Sequence, residues 1–194
     1  MMAFDDGFRA LSEKDRLALL SLARRALEVY LQESRLPQEP FDEPALQGPR
    51  SVFVTLKCRR KLHGCIGVLS GGSSLGENIQ HCAVSAANDP RFPPLLSDEL
   101  AATRIEISVL GTPRAIGGPG DVTVGKDGLI VSRGMRKGLL LPQVAVEQRW
   151  DAGRFVEETC VKAGLPRDAW KTGATLEAFT ADVFGEDESG RDAT

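Results

Sequence analysis

The chain has 194 residues, of which 42% are hydrophobic and 26% charged, so it can bury a core of ordinary size without disulfides or metals. Its formal net charge is −3 and basic residues are interspersed with acidic ones, so a phosphate-binding surface is not indicated and nucleic acid is not an expected partner. The apolar runs are too short for a bilayer and no secretory signal is recognisable. We therefore expect a cytoplasmic protein without membrane contact, whose four cysteines are thiols.

The first two predicted helices begin at recognisable caps. Ser12 with Asp15, and Ser74 with Glu77, each form a capping box ahead of an apolar stripe with helical spacing. The first stripe predicts a helix of about 20 residues that ends before Pro37. A proline-rich irregular loop is expected after it.

Alternation of apolar and polar residues predicts six strands. They cover residues 51–58, 62–69, 104–109, 128–132, 138–141 and 175–183. Basic turns at 59–61 and 133–137 join two pairs of them into hairpins. Pro142 and Asp151 begin two further helices, the second ending near Gly164. Because the strands arrive as hairpins and not in regular alternation with helices, we expect an α+β fold of antiparallel sheets with flanking helices.

The Gly-Cys segment, Leu62–Gly67, is the strongest candidate for a functional site. Alternation along the strand places His63, Cys65 and Gly67 on one face and Gly64 on the other. Glycine weakens the interior of a strand, so two glycines beside a cysteine indicate close approach of another backbone or of a ligand. A reactive thiol and a small cysteine that packs like alanine both fit this pattern, and chemistry alone favours packing.

No metal site is predicted. Cysteine and histidine are dense in one part of the chain, but their spacing lacks the paired Cys-x-x-Cys and the His-x₃-His patterns of zinc sites. The residues concerned are Cys58, His63, Cys65, His81 and Cys82.

Two loops fit a binding role as well as a structural one. Arg91 and Phe92 lie in a proline-stiffened loop after a helix end. They either bind a ligand or belong to a rigid connection in which the Phe92 ring packs into the core. The basic turn at 133–137 fits a carboxylate or phosphate, although a solvated hairpin tip is the favoured interpretation.

The Gly-Cys segment resembles the Leu-Arg-Gly-Cys-Ile-Gly motif of the AMMECR domain family. Six further blocks of the chain resemble the family in the same order: 52–56, 89–95, 106–110, 128–131, 140–145 and 162–165. Together they span most of residues 10–184. The resemblance implies a single domain there, with a larger lobe that holds both termini, a smaller middle lobe and the motif near a cleft between them. Residues 1–9 and 185–194 are expected to be flexible tails.

No reaction is established for the family, whose bacterial and archaeal members are grouped with a Memo-like protein and a radical-SAM protein as AmmeMemoRadiSam system protein A. The resemblance, together with the absence of a complete catalytic constellation in the sequence, favours a binding or accessory component that acts with those two partners. No cofactor is predicted. The alternative is an enzyme that uses Cys65 as nucleophile or redox thiol in the interlobe cleft. The oligomeric state stays open.

The candidate ligand- or partner-binding residues are His63, Gly64, Gly67, Arg91, Phe92 and Glu106. One of them departs from the family pattern, because arginine is usual where this chain has His63. An acid–base pair of His63 with Cys65 therefore cannot be chemistry that the family shares.

Overall fold

The computed structural model describes residues 11–37, 44–69 and 72–186. The helices are α1 (Glu13–Glu33), α2 (Pro44–Gln47), α3 (Leu75–Ala87), α4 (Pro142–Glu147) and α5 (Ala152–Lys162). The strands are β1 (Val52–Cys58), β2 (Lys61–Val68), β3 (Thr103–Leu110), β4 (Arg114–Ala115), β5 (Asp127–Arg133), β6 (Arg136–Leu140) and β7 (Thr175–Gly185). Short 3₁₀ helices cover Ser97–Ala102, Pro119–Asp121 and Ala169–Lys171. The strands pair in antiparallel fashion, which confirms the predicted α+β class.

The described residues divide into two compact units. The first unit contains the described residues up to 109 together with 182–186, and the second contains residues 110–181. Strand β7 therefore contributes residues to both. The larger and smaller lobes implied by the family resemblance, with the single domain over 10–184, stay a prediction.

In the first unit, α3 packs on one face of the strands β1 and β2, and α1 packs against α3. The capping boxes at Ser12 and Ser74 form as predicted and begin α1 and α3. Strand β1 lies between β2 and β3, and α3 packs against α1, β1 and β2. The inward residues of β1 are Val52, Val54 and Leu56, and each has no exposed surface. The predicted alternation therefore gives the inner face of this sheet correctly.

The end of the described chain is tied to the first unit by two ion pairs. Arg16 Nη2 lies 2.8 Å from Asp182 Oδ1, and Arg24 forms an ion pair with Glu186. Arg24 also donates from Nη2 to the Thr103 carbonyl at 2.8 Å. Of the predicted tails, Gly185 ends β7 and Glu186 makes this ion pair, while residues 1–9 and 187–194 lie outside the described residues.

The second unit packs α5 on the hairpin of β5 and β6, with β7 paired to β5 and to β4. Phe155 and Phe179 are its largest buried side chains. The predicted hairpin and the Asp151 cap form as expected. The helix predicted to begin at Pro142 does so and ends at Glu147. Within the described residues, no helix combines the length and the apolar content needed to cross a membrane.

Candidate functional site

Cys65 lies in a row of three residues that crosses the sheet of the first unit. It is the partner of Thr55 on β1, and Thr55 is in turn the partner of Glu106 on β3. The Thr55 hydroxyl donates a hydrogen bond to Cys65 Sγ at 3.2 Å. Alternation along β1 places this row on the face opposite the two helices, since Val54 and Leu56 point inward. Cys65 is half-buried there.

The ion pair of Asp89 and Arg91 binds both backbone groups of Cys65, its amide and its carbonyl. The Cys65 amide donates to Asp89 Oδ2 at 3.0 Å, and Arg91 Nη2 donates to the Cys65 carbonyl at 3.1 Å. Arg91 also donates to the same carboxylate, from Nη2 to Oδ2 at 2.6 Å and from Nε to Oδ1 at 3.0 Å. Two residues that follow α3 therefore hold both backbone groups of Cys65 in place. We call this arrangement the Asp89–Arg91 clamp.

The clamp is ionised at neutral pH. The side chain of Asp89 is 1% exposed. Hydrogen bonds from Arg91, and then from the backbone amides of Cys65 and Arg91, hold the pKa of Asp89 well below its usual range despite the opposing effect of burial. Asp89 in turn raises the pKa of Arg91. The Arg91 side chain is 54% exposed, so the clamp joins a buried carboxylate to a guanidinium that reaches solvent.

The two glycines of the Gly-Cys segment make close contacts with the chain itself. A Cβ atom on Gly64 would lie 2.0 Å from the carbonyl oxygen of Ala86, in the last turn of α3. A Cβ atom on Gly67 would lie 2.3 Å from the ring of Phe53, its partner on β1. The close approach that the sequence indicated is therefore made by a helix backbone and by an aromatic ring.

A β-bulge changes the position of His63. The register shifts between Leu56 and Lys57, so His63 is an extra residue without a partner on β1. The predicted regular alternation through the segment is therefore wrong at His63. Its ring lies 6.4 Å from that of Phe92, at an interplanar angle of 20°. His63 Nε2 is buried and has no hydrogen-bond partner among the described residues.

The bulge, the clamp and the following loop create a mixed polar and apolar surface. Arg91 lies over the Phe92 ring at 5.5 Å from its centroid, and His63 lies against the same ring. Leu62, which directly precedes His63 on β2, is 47% exposed. We call Leu62, His63, Cys65, Arg91 and Phe92 the Gly-Cys surface.

Glu106 is not brought into contact with Cys65. The two residues lie in one row but are separated by β1, which puts their Cα atoms about 10 Å apart at the usual strand spacing. The Glu106 carboxylate binds Lys57 Nζ at 2.9 Å. Of the candidate site residues, the structure thus groups His63, Gly64, Cys65, Arg91 and Phe92 and leaves Glu106 in a separate ion pair.

Comparisons with known proteins identify the family. The AMMECR1 family model matches residues 20–184. The chain belongs to the AMMECR1 family. Similar proteins include Protein Mbar_A1807 of Methanosarcina barkeri, 42% identical over 92% of this chain and 93% of that protein, and a Thermofilum pendens protein, 41% identical over 91% and 92%. The crystal structure of Uncharacterized Protein PH0010 from Pyrococcus horikoshii has a TM-score of 0.82 to this chain at 42% identity, and the match covers 88% of this chain and 90% of that one.

Two residues of this candidate site were not singled out from the sequence. Asp89 was noted only as part of a block that resembles the family, and Thr55 only as a strand residue. Asp89 had a recognisable signal, because an aspartate after a helix end often binds the backbone amide two residues later, and here its Oδ1 accepts from the Arg91 amide at 3.1 Å. Thr55 had no such signal in the sequence, because its contact with Cys65 depends on which residue of β2 lies opposite it.

The four cysteines are expected to differ in reactivity toward iodoacetamide. Burial raises the pKa of the Cys82 thiol to about 11 and also raises that of Cys160. At pH 8 only about one Cys82 thiol in a thousand is then ionised, so native protein should be labelled at the half-buried Cys58 and Cys65 while the other two are protected. Peptide mapping by mass spectrometry measures this, with urea-unfolded protein as the fully labelled control. Rapid labelling of Cys82 in native protein would contradict the packing of α3.

Proposed function

We propose that this AMMECR1-family protein is a binding or accessory component that acts with a Memo-like protein and a radical-SAM protein. In this proposal the Gly-Cys surface is the part that contacts a partner. The observation that carries it is the Asp89–Arg91 clamp. The clamp binds the amide and the carbonyl of Cys65, while the Arg91 side chain stays 54% exposed.

Rigidity of this kind favours binding because little conformational entropy is lost when a partner docks. Gly64 lies against the helix backbone, and His63 and Arg91 both pack on the Phe92 ring. Arginine and aromatic side chains are also among the residue types that dominate binding energy at protein interfaces. The surface thus combines preorganised backbone with exposed side chains suited to a protein partner.

The test uses two exposed leucines of the first unit as a matched pair. Leu62 is 47% exposed on the Gly-Cys surface, and Leu17 is 62% exposed on α1. Tagged wild-type protein purified from its native host under mild conditions should retain the Memo-like and radical-SAM proteins. We expect Leu62→Ser to reduce the retained partner at least tenfold, and Leu17→Ser to leave it unchanged.

Two outcomes of this experiment oppose the proposal. Wild-type protein that retains neither partner argues against the accessory role. Equal losses for Leu62→Ser and Leu17→Ser argue against the Gly-Cys surface as the contact. Circular dichroism spectra and melting temperatures of both variants serve to exclude misfolding as the cause of a loss.

A second candidate function is catalysis by Cys65 as nucleophile or redox thiol. It is favoured by the Thr55 hydroxyl that donates to Sγ at 3.2 Å, since such a hydrogen bond stabilises a thiolate. Cys58, half-buried on β1, is an internal control in the same molecule. The enzyme candidate requires Cys65 to be alkylated at pH 7 at least tenfold faster than Cys58. A Cys65 that stays inert until pH 9 has only a packing role.

A further inference from the structure

The hairpin of β5 and β6 ends in a fully exposed methionine. Arg133 pairs with Arg136, so Gly134 and Met135 are the two central residues of the turn. Met135 is 102% exposed, whereas the next most exposed large apolar side chain of the described residues, Leu17, is 62% exposed. Single exposed apolar residues are common, but one whose whole surface lies in water packs against nothing. Folding therefore gains nothing from an apolar side chain at this position.

The turn itself is held in a fixed position. Gly134 has a φ of 60°, the left-handed value that the first central residue of such a turn requires. Arg136 Nη1 donates to the Gly164 carbonyl at 2.9 Å, just beyond the end of α5. A Cβ atom on Gly138 would lie 2.3 Å from the amide nitrogen of Ala163, so β6 lies directly against the same end of the helix. A side chain on such a rigid support loses little backbone entropy when it binds.

Cations surround the methionine. Arg133, Arg136 and Lys137 are all exposed. Arg133 lies directly opposite Arg136, and like charges in this position destabilise a hairpin. The Arg136 guanidinium binds the Gly164 carbonyl, but the side chains of Arg133 and Lys137 have no hydrogen-bond or ion-pair partner among the described residues. We call Arg133, Met135 and Lys137 the methionine tip.

We propose that the methionine tip docks into an apolar pocket with an acidic rim on a protein partner. This contact rests on the proposed function, because a component that acts with two proteins needs a surface for each, and the Gly-Cys surface is one of them. Met135 fills the pocket, since its flexible and polarisable side chain adapts to irregular apolar cavities. Carboxylates of the rim bind Arg133 and Lys137 and offset the repulsion between Arg133 and Arg136.

A protein partner fits the tip better than a membrane or a nucleic acid. One methionine buries far less apolar surface than a myristoyl chain, which alone gives only marginal membrane binding. The cations are confined to one turn, whereas nucleic-acid-binding surfaces carry basic residues in a stripe or patch that follows the phosphates. A protein pocket, in contrast, encloses a single side chain and excludes water from the charged contacts at its rim.

The first experiment places the photocrosslinker p-benzoylphenylalanine at position 135 of the tagged chain in its native host, and mass spectrometry identifies the crosslinked protein. We expect the Memo-like or the radical-SAM protein, crosslinked at least tenfold more than from position 161. Val161 is the matched site, because it is a 44% exposed apolar residue on α5 of the same unit. Lys137→Glu should reduce the crosslink at least tenfold, and Lys126→Glu, at another exposed lysine of this unit, should leave it unchanged.

A second experiment tests whether the apolar character of the tip is needed. Met135→Leu should co-purify with the crosslinked partner as fully as wild type, and Met135→Ser at least tenfold less. Because the side chain is fully exposed, neither variant should change the melting temperature by more than about 2 °C. A Ser variant that retains the partner as fully as wild type overturns the inference. So does binding of wild-type protein to phosphatidylserine vesicles, or to a single-stranded oligonucleotide, that Met135→Ser abolishes.

The methionine tip and the proposed function fail in different ways. Wild-type protein that retains both proposed partners but crosslinks no more from position 135 than from position 161 overturns the tip and leaves the accessory role intact. A single different protein that crosslinks from position 135 in a manner dependent on Lys137, while neither proposed partner is retained, supports the tip and opposes those partners. The absence of both the crosslink and the partners overturns both proposals.

Discussion

Replacing Gly64 with alanine is expected to destabilise the protein by about 3 kcal/mol, at the upper end of the cost of overpacking. The new Cβ atom would lie 2.0 Å from the Ala86 carbonyl oxygen and 3.1 Å from Asp89 Cβ. The oxygen belongs to the backbone of α3, so it cannot rotate away, and either β2 or the end of the helix has to move. Movement there also displaces Asp89 from the Cys65 amide. Urea denaturation followed by circular dichroism measures the loss.

Gly67 and Gly72 provide graded controls for this prediction. A Cβ atom on Gly67 would meet the ring of Phe53, a partly exposed side chain that can turn aside, so Gly67→Ala should cost only about 1 kcal/mol. No atom lies within 4 Å of the Cβ position at Gly72, and alanine there should change stability by less than about 0.5 kcal/mol. Equal losses at Gly64 and Gly67 would contradict a fixed backbone contact at Gly64.

Replacing Asp89 with asparagine is expected to cost about 2–3 kcal/mol at pH 7, the range for hydrogen bonds to a buried charged group. The side chain is 1% exposed and accepts hydrogen bonds from Arg91 and from the Cys65 amide. A neutral amide offers one acceptor oxygen in place of two and presents an NH₂ group to the guanidinium. The expected result is a less stable protein in which Cys65 is alkylated faster, because its backbone is no longer held.

The cost of Asp89→Asn should depend on pH in a defined direction. Since Arg91 holds the pKa of Asp89 below its usual range, the carboxylate stabilises the fold fully above the unfolded-state pKa of about 4, and this contribution is lost as pH falls below that value. The difference in unfolding free energy between wild type and variant should therefore be constant from pH 7 to 5 and shrink below pH 4. Asp98→Asn, at an exposed aspartate, is the control and should show neither effect. A difference that grows on acidification would contradict an ionised Asp89.

The elements that the sequence predicted correctly depend on local chemistry. The capping boxes at Ser12 and Ser74 begin α1 and α3 because cap and helix lie within a few residues of each other. Alternation likewise gave the inner face of β1, and the Asp151 cap gave the start of α5. The short helix Pro44–Gln47 within the predicted proline-rich loop was missed, since one helical turn leaves no periodic pattern.

The features that the sequence did not predict arise from residues far apart in the chain. The bulge at His63 follows from the pairing of β2 with β1, and no residue within the Gly-Cys segment specifies it. The need for glycine at position 64 was recognised, but its cause, the Ala86 carbonyl, is set by how α3 packs on β2. The clamp similarly requires Asp89 and Arg91 to meet a strand more than twenty residues earlier.

The clamp also affects how readily the edge of β2 can pair with a strand of another molecule. Within the described residues β2 pairs with β1 alone, so its other side is a free strand edge. The Cys65 amide and carbonyl that point to that edge are occupied by Asp89 and Arg91. An unoccupied edge is a template to which a strand of another molecule adds, and this is the usual first step of aggregation. The ion pair thereby occupies one pair of the edge groups to which a strand of another copy could add.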